Sequence, residues 1–296
     1  MRQDGDNSST PFDDGVYDTS ESSLRRQVRW LRSRTRILCE AELLDILHTG
    51  RFPKVPCSLI TFDDGYKDNY TRALPILQEE RATAIFFIAT ALTTERRLGW
   101  WDLLAWIVKR SRRGALEWQA ESISLDNSTT AIRRLQRIMK SRPAAETATL
   151  VDEMARQGEV ELPDLAAQDC ELMDWNEIRG LLDNGMDIGA HTHTHRVLAC
   201  LSAEEQAAEI RQSKQILESA LGRIVRSLAY PVGGSSAFSE DTARLASSLG
   251  IEIAFSYSPC ANRWTNLNRY DICRLPVPNG VPRLAAATVF PRTFAG

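Results

Sequence analysis

Of the 4 histidines in this chain, His191, His193 and His195 fall in one short run, directly after the apolar stretch Met186–Ala190. A neutral imidazole nitrogen is a common ligand for zinc-like cations, so this crowding points first to a metal site. Asp63 and Asp64 follow the apolar run Ser58–Phe62. Two adjacent carboxylates repel one another, and a cation that engages one of them relieves the repulsion. The other is then available to take a proton from an attacking water, which together describes metal-assisted hydrolysis. Two geometries compete for the histidines. A helical turn after Ala190 puts His191 and His195 on one face with His193 turned away, and it is preferred because it leaves room for Asp64 as third ligand. An extended segment would send all three imidazoles the same way, because strand side chains alternate.

These groups need rigid carriers. Ser58–Phe62 and Thr83–Ile88 read as buried strands, with Lys67–Glu80 helical between them and Pro75 marking a helix start or a kink. Asp174 and Glu177 open a helix that Gly185 stops, and Ser202 and Glu205 open another that ends near Gly222. Ser239–Leu249 is a further capped helix, and Ser227–Tyr230, Ile251–Phe255 and Ile272–Val277 read as strands. Before them, Leu24, Val28 and Leu31 mark one face of a helix whose arginines form a solvated side, and His48 falls on a surface helix. Alternating strands and helices imply an α/β sheet, open or closed into a barrel, with functional groups at the carboxyl ends of the strands. Asp63, Asp64, His191 and Tyr230 all lie at such ends.

Residues 1–20 are expected to be a loose tail and residues 21–296 one barrel domain, carrying a mainly helical insertion over about 98–170. The insertion opens with Trp100-Trp101-Asp102, and its tryptophans are expected in a core. Phe12-Asp13-Asp14-Gly15 copies Phe62-Asp63-Asp64-Gly65 letter for letter. The first copy follows a polar tail rather than a strand, so Asp13 and Asp14 are expected in a solvated loop. A length of 296 residues suits a single α/β barrel, and a net charge of −3 gives no global pull toward nucleic acid or anionic membrane. No apolar run approaches the roughly 20 residues that span a bilayer, and the polar amino terminus lacks a signal-peptide core, so a cytoplasmic protein is expected. Cys39, Cys57, Cys170, Cys200, Cys260 and Cys273 are scattered without a C-x-x-C pair. That argues against a cysteine-bound zinc and against a dense disulfide framework; reduced, mostly buried thiols are expected.

Thr61-Phe62-Asp63-Asp64-Gly65-Tyr66, followed by His191-Thr192-x-Thr194-His195, resembles the polysaccharide deacetylases, the chitooligosaccharide-deacetylase homology family of carbohydrate esterases. Tyr230-Pro231-Val232-Gly233-Gly234 is similar to the family's third motif, and Trp175 sits where many members carry a tryptophan. The resemblance implies a distorted (β/α) barrel of about seven strands that removes acetyl groups from N-acetylated, or O-acetylated, sugars of a polysaccharide, oligosaccharide or glycan precursor. It implies Asp63 as general base and Asp64, His191 and His195 as ligands of a divalent metal, Zn first, with Co, Ni or Mn as alternatives. The backbone N–H of Tyr230 is expected to help hold the oxyanion, and Tyr66, Trp101 and Pro231 to line the substrate site. Two departures stand out: Leu228-Ala229-Tyr230 lacks the arginine that many members place before the motif's proline, and no histidine follows His195. The closing segment reads Arg274-Leu275-Pro276-Val277, so leaving-group protonation is left unassigned, with protonated Asp63, His193 and His48 as the candidates. Hydrolysis of another C–N bond, such as a cyclic amide, and a non-catalytic carbohydrate-binding barrel are the alternative readings.

Overall fold

The computed structural model describes residues 10–15, 19–119, 121–140, 142, 146–163, 171–258, 260–277 and 280–289. Its strands are β1 (Arg36–Ile37), β2 (Cys57–Ser58), β3 (Ile60–Phe62), β4 (Ala84–Ile88), β5 (Ala115–Trp118), β6 (Glu121–Ser124), β7 (Asp187–Ala190), β8 (Ser227–Ala229), β9 (Ile253–Ser256) and β10 (Ile272–Cys273). β3, β4, β7, β8, β9 and β10 pair in that order, all parallel, as the main sheet. β1 pairs with β2 in parallel as a separate two-stranded sheet, with Leu59 alone between β2 and β3, so the main sheet has six strands where about seven were expected. The sheet curls until its two edges meet at one end, where Arg274 after β10 reaches Asp63 after β3. This is the α/β sheet expected from the strand–helix alternation, curled as the distorted barrel that the family resemblance implies.

The alternation of side chains along buried strands builds two apolar layers. Ile85, Phe87, Ala229, Ile253, Phe255 and Ile272 face inward and pack with Leu43 and Leu44 of the helix Glu40–Thr49. Phe86, Ile88, Ile188, Ala190, Leu228 and Ala254 face outward and are covered from the helices Leu74–Glu79, Trp175–Asp183 and Ala203–Leu221. Gly189 makes room for this core, since a Cβ there would lie 2.4 Å from the Phe87 ring. Trp175 packs against the outer layer. The capping boxes at Asp174/Glu177 and Ser202/Glu205 form as read from the sequence. Pro75 sits in the first turn of Leu74–Glu79, and the turn before it, Asn69–Ala73, widens into a π-helix that accommodates the missing N–H.

The insertion holds the helices Trp100–Arg110, Ser128–Lys140 and Thr147–Gly158 around its own core of Leu104, Ile107, Leu116, Ile123, Leu135 and Met154. It also contains an antiparallel hairpin, β5–β6, that pairs Leu116 with Ile123.

Two expectations are corrected here. Asp13 is not in a solvated loop, although Asp14 stays partly exposed: Asp13 is only 5% exposed and accepts hydrogen bonds from Gln136 Nε2 at 2.6 Å and Arg133 at 3.3 Å. Lys109 Nζ donates to the carbonyls of Thr10 and Phe12 and to Asp14, and Phe12 stacks on Trp106 with centroids 5.8 Å apart. The insertion supplies donors that the tail's own sequence does not reveal. Residues 1–9 and 16–18 of the expected tail lie outside the described residues. The cysteines are not all reduced either: Cys260 and Cys273, 13 apart in sequence, form a disulfide because β9 and β10 pair and bring the intervening loop back on itself. Cys39 and Cys57 are partly exposed thiols and Cys200 an exposed one, while Cys170 lies outside the described residues. Among the described residues, no helix is long and apolar enough to cross a membrane.

Candidate active site

Asp63 and Asp64 leave β3 through a tight turn. Asp64 (φ 71°) and Gly65 (φ 88°) both take left-handed backbone, which costs a non-glycine residue of order 1 kcal/mol or more and persists only when neighbours hold it. The Gly65 N–H donates to Asp63 O at 2.9 Å, and the Met173 N–H donates to Gly65 O at 2.9 Å, tying the turn to the segment before the helix Trp175–Asp183.

The histidine loop follows β7, and the His191 N–H still donates to Ile88 O of β4 at 3.0 Å. Thr192 (φ 61°) and His195 (φ 58°) are left-handed, so no helical turn forms. Buried Glu209 of the helix Ala203–Leu221 holds the loop instead: its Oε2 accepts from the His193 and Thr194 N–H groups at 3.0 and 2.8 Å, and its Oε1 accepts from Thr194 Oγ1 at 2.5 Å. The outcome preferred from the sequence, His191 and His195 together and His193 apart, arises from this kinked loop. The two rings lie 4.7 Å apart, while His193 Nδ1 turns to Thr90 Oγ1 at 3.0 Å.

Asp64 Oδ1 lies 3.1 Å from His195 Nε2 and 3.4 Å from His191 Nε2. One ligand atom from each of the three residues falls within 4.8 Å of the others. Asp64 Oδ1 is buried without a hydrogen-bond partner, which is the condition of an atom shaped for a cation. His191 Nδ1 bonds to Ala229 O at 2.8 Å, which fixes the tautomer and leaves Nε2 unprotonated as a ligand. The donor set, one carboxylate and two imidazoles, fits a divalent transition metal with positions left open. Burial pushes the Asp64 carboxyl up, but His195 and His191 outweigh it and hold the group well below the usual carboxylate range.

Asp63 lies beside this cluster, its Oδ2 3.8 Å from His191 Nε2. Arg274 grips it with two bonds, Nη1 to Oδ1 at 2.6 Å and Nη2 to Oδ2 at 2.8 Å, and is itself anchored to Thr61 Oγ1 and Ser256 O. Burial would raise the Asp63 carboxyl; Arg274 first and His191 next overcome it and keep the group ionised below its ordinary range. The third motif offers no arginine, and the one that meets Asp63 follows β10. Its signal was in plain view, an arginine closing a strand, but its partner lies 211 residues away.

The other expected site residues divide: Trp101 lines the cavity beside the cluster, and the rest fall differently. The Tyr230 N–H is spent on Phe255 O at 3.0 Å within the sheet, and its side chain is fully buried, so it is no free oxyanion donor. Pro231 is buried; the next residue, Val232 (φ 64°), lines the cavity above the carboxylates, and its N–H has no partner among the described residues. Tyr66 is buried with its hydroxyl bonded to Asp102 and Trp101, and Trp101 is 7% exposed with its ring 4.4 Å from that of His195. His48 pairs with Glu252 on the surface at 3.1 Å, where it cannot serve leaving-group protonation, and His193 points to Thr90 instead. The cavity holds about 320 Å³ and is walled by Trp100, Trp101, Tyr257 and, from the insertion and the amino-terminal segment, Arg133, Lys140 and Asp13.

Comparison with known proteins agrees with this geometry. Residues 51–254 match the profile of the polysaccharide deacetylase family. Among solved structures, the chain is similar to the Streptococcus pyogenes deacetylase PplD in complex with acetate (17% identity, 91% of this chain and 87% of that one, TM-score 0.61). It is similar also to the deacetylase domain of BpsB from Bordetella bronchiseptica (16% identity, 85% and 83% covered, TM-score 0.55). A de-N-acetylase from Aggregatibacter actinomycetemcomitans has 12% identity, 90% and 89% covered, and a TM-score of 0.57. No curated protein sequence matches. With the family profile covering more than half its length, the chain belongs to the polysaccharide deacetylase family.

Proposed function

We propose that the protein is a divalent-metal-dependent hydrolase that removes acetyl groups from N-acetylated sugars. The observation that carries this reading is Asp64 Oδ1, buried, unpartnered and facing both imidazoles, beside a second carboxylate that Arg274 keeps ionised. Asp64, His191 and His195 would hold the cation, zinc in the first instance, which supplies Lewis-acid polarisation of the acetyl carbonyl when bound. Asp63, oriented by Arg274, takes a proton from the attacking water as the new C–O bond forms. The Val232 N–H, rather than that of Tyr230, donates to the developing oxyanion. Protonated Asp63 then returns the proton to the leaving amine as the C–N bond breaks, a role that needs no further histidine. Trp101 forms the wall behind His195, and Tyr66 supports Trp101 from below.

Acetate release from N-acetylated glucosamine oligomers, and from an O-acetylated sugar in parallel, tests the reading. Turnover is expected with the oligomers, lost on chelation and restored by added Zn²⁺. No acetate from either substrate at any metal loading would overturn it. The cytoplasmic placement stands against the Cys260–Cys273 disulfide, which persists in oxidising compartments. Thiol labelling of the protein from its native compartment, before and after reduction, separates the two.

A further inference from the structure

The two histidines of the metal cluster are held by different means. His191 Nδ1 has the backbone partner Ala229 O at 2.8 Å, the usual way a ligand imidazole is fixed. His195 Nδ1 is buried and has no hydrogen-bond partner. What lies against its ring is Trp101, with centroids 4.4 Å apart. Trp101 is not free to rock: its Nε1–H donates to Tyr66 Oη at 2.6 Å, and the Tyr66 O–H donates to Asp102 Oδ2 at 2.5 Å. Asp102 is fully buried, and its second oxygen accepts the Asp13 N–H at 3.1 Å. Asp13 in turn is fixed by Gln136 and Arg133 of the insertion.

We propose that Asp102, Tyr66 and Trp101 form a hydrogen-bonded bracket that sets the plane of the His195 ring, and that the amino-terminal Phe12-Asp13-Asp14-Gly15 segment closes its far end. The three are positioning residues for the cation site, acting through ring packing where His191 uses a hydrogen bond. The inference rests on the reading of Asp64, His191 and His195 as ligands. It gives the insertion and the amino-terminal segment a part in the site that a packing role alone would not require. The two links through the Tyr66 hydroxyl are short and buried. A buried tyrosine hydroxyl between an indole N–H and a carboxylate is also a costly arrangement to leave unmade, so it holds its geometry firmly.

The test is Tyr66→Phe, which removes the oxygen joining Trp101 to Asp102 and leaves the ring in place. Tyr270→Phe is the matched control: it too removes a single tyrosine hydroxyl, one that donates to Ile251 O at 3.0 Å, and its ring packs against the outer layer of the barrel rather than in the cluster of Tyr66 and Trp101. Co²⁺ alone is the probe, titrated into metal-free full-length protein and followed by its visible absorption, with the unfolding midpoint measured in parallel. Loss of an outer partner of a metal ligand typically weakens metal binding 10–100-fold. Tyr66→Phe is expected to weaken Co²⁺ binding by about 10-fold and to change the absorption envelope. Tyr270→Phe is expected to bind as the unaltered protein does while unfolding more readily. Tyr66→Phe that binds Co²⁺ with unchanged affinity and spectrum would overturn the bracket. Failure of the unaltered protein to bind Co²⁺ would instead overturn the ligand assignment beneath it.

Discussion

Arg274 is the residue whose replacement discriminates most between charge and geometry at the site. It makes two bonds to Asp63, at 2.6 and 2.8 Å, and its side chain is 10% exposed, so solvent cannot substitute for it. Arg274→Gln removes the cation and the two-pronged grip; Arg274→Lys keeps the charge and loses the fork. A base displaced by about 1 Å costs of order 10²-fold in rate, which at 1.36 kcal/mol per decade is about 2.7 kcal/mol. That sits within the roughly 1.5–3 kcal/mol assigned to one hydrogen bond to a charged group. Acetate release by Arg274→Gln should therefore fall about 100-fold in kcat/KM, and by Arg274→Lys about 10-fold. The pH profile carries the second part. Arg274 leads the groups that hold Asp63 below its ordinary range against burial, so its loss lets burial raise the carboxyl. The base works ionised, so the acid limb of kcat/KM should move to higher pH in Arg274→Gln and stay in place in Arg274→Lys. An Arg274→Gln enzyme with an unmoved acid limb and near-normal kcat/KM would refute the assignment of Asp63 and Arg274 together.

Three further outcomes are expected. Glu209→Gln puts an amide opposite the N–H groups of His193 and Thr194, and should cost about 2–3 kcal/mol in urea unfolding while weakening metal binding. Glu40 is pushed up to about 7 by burial first and Asp187 among its neighbours. The folded state therefore holds a proton that the unfolded chain releases near 4.5, and stability should fall as pH rises between about 4.5 and 7. Glu40→Gln removes that slope and should be more stable at pH 8 by up to about 3 kcal/mol, read from unfolding midpoints across pH. Cys260→Ser opens a loop of separation 13 and should lower stability by up to about 3 kcal/mol, with reductant then having no effect on the variant's melt.

The barrel was legible because its signals are local. Ala84–Ile88 is apolar at every position, as a strand buried on both faces must be, and Asp174/Glu177 and Ser202/Glu205 mark helix starts with side chains that meet within one turn. The paired carboxylates and histidines were legible for the same reason, each pair lying at the end of one strand. What escaped depends on contacts between distant segments. Arg274 acquires its role because the sheet curls until β10 faces β3, which no local pattern states. Asp13 looks like a loop residue until Gln136 and Arg133 are placed against it. The Tyr230 N–H reads as free until β9 is laid beside β8, and the scattered cysteines hide a pair that only the pairing of β9 with β10 brings together. The hairpin β5–β6 was masked by the polar residues that surround Leu116 and Ile123.

Metal content and acetate release, measured together on Asp63→Asn and Asp64→Asn, bear most directly on the division of labour between the two carboxylates. Asp63→Asn should retain one divalent ion per chain and release no acetate. Asp64→Asn should lose the ion. An Asp64→Asn protein that keeps a full equivalent of metal, or an Asp63→Asn protein that still turns over, would contradict it.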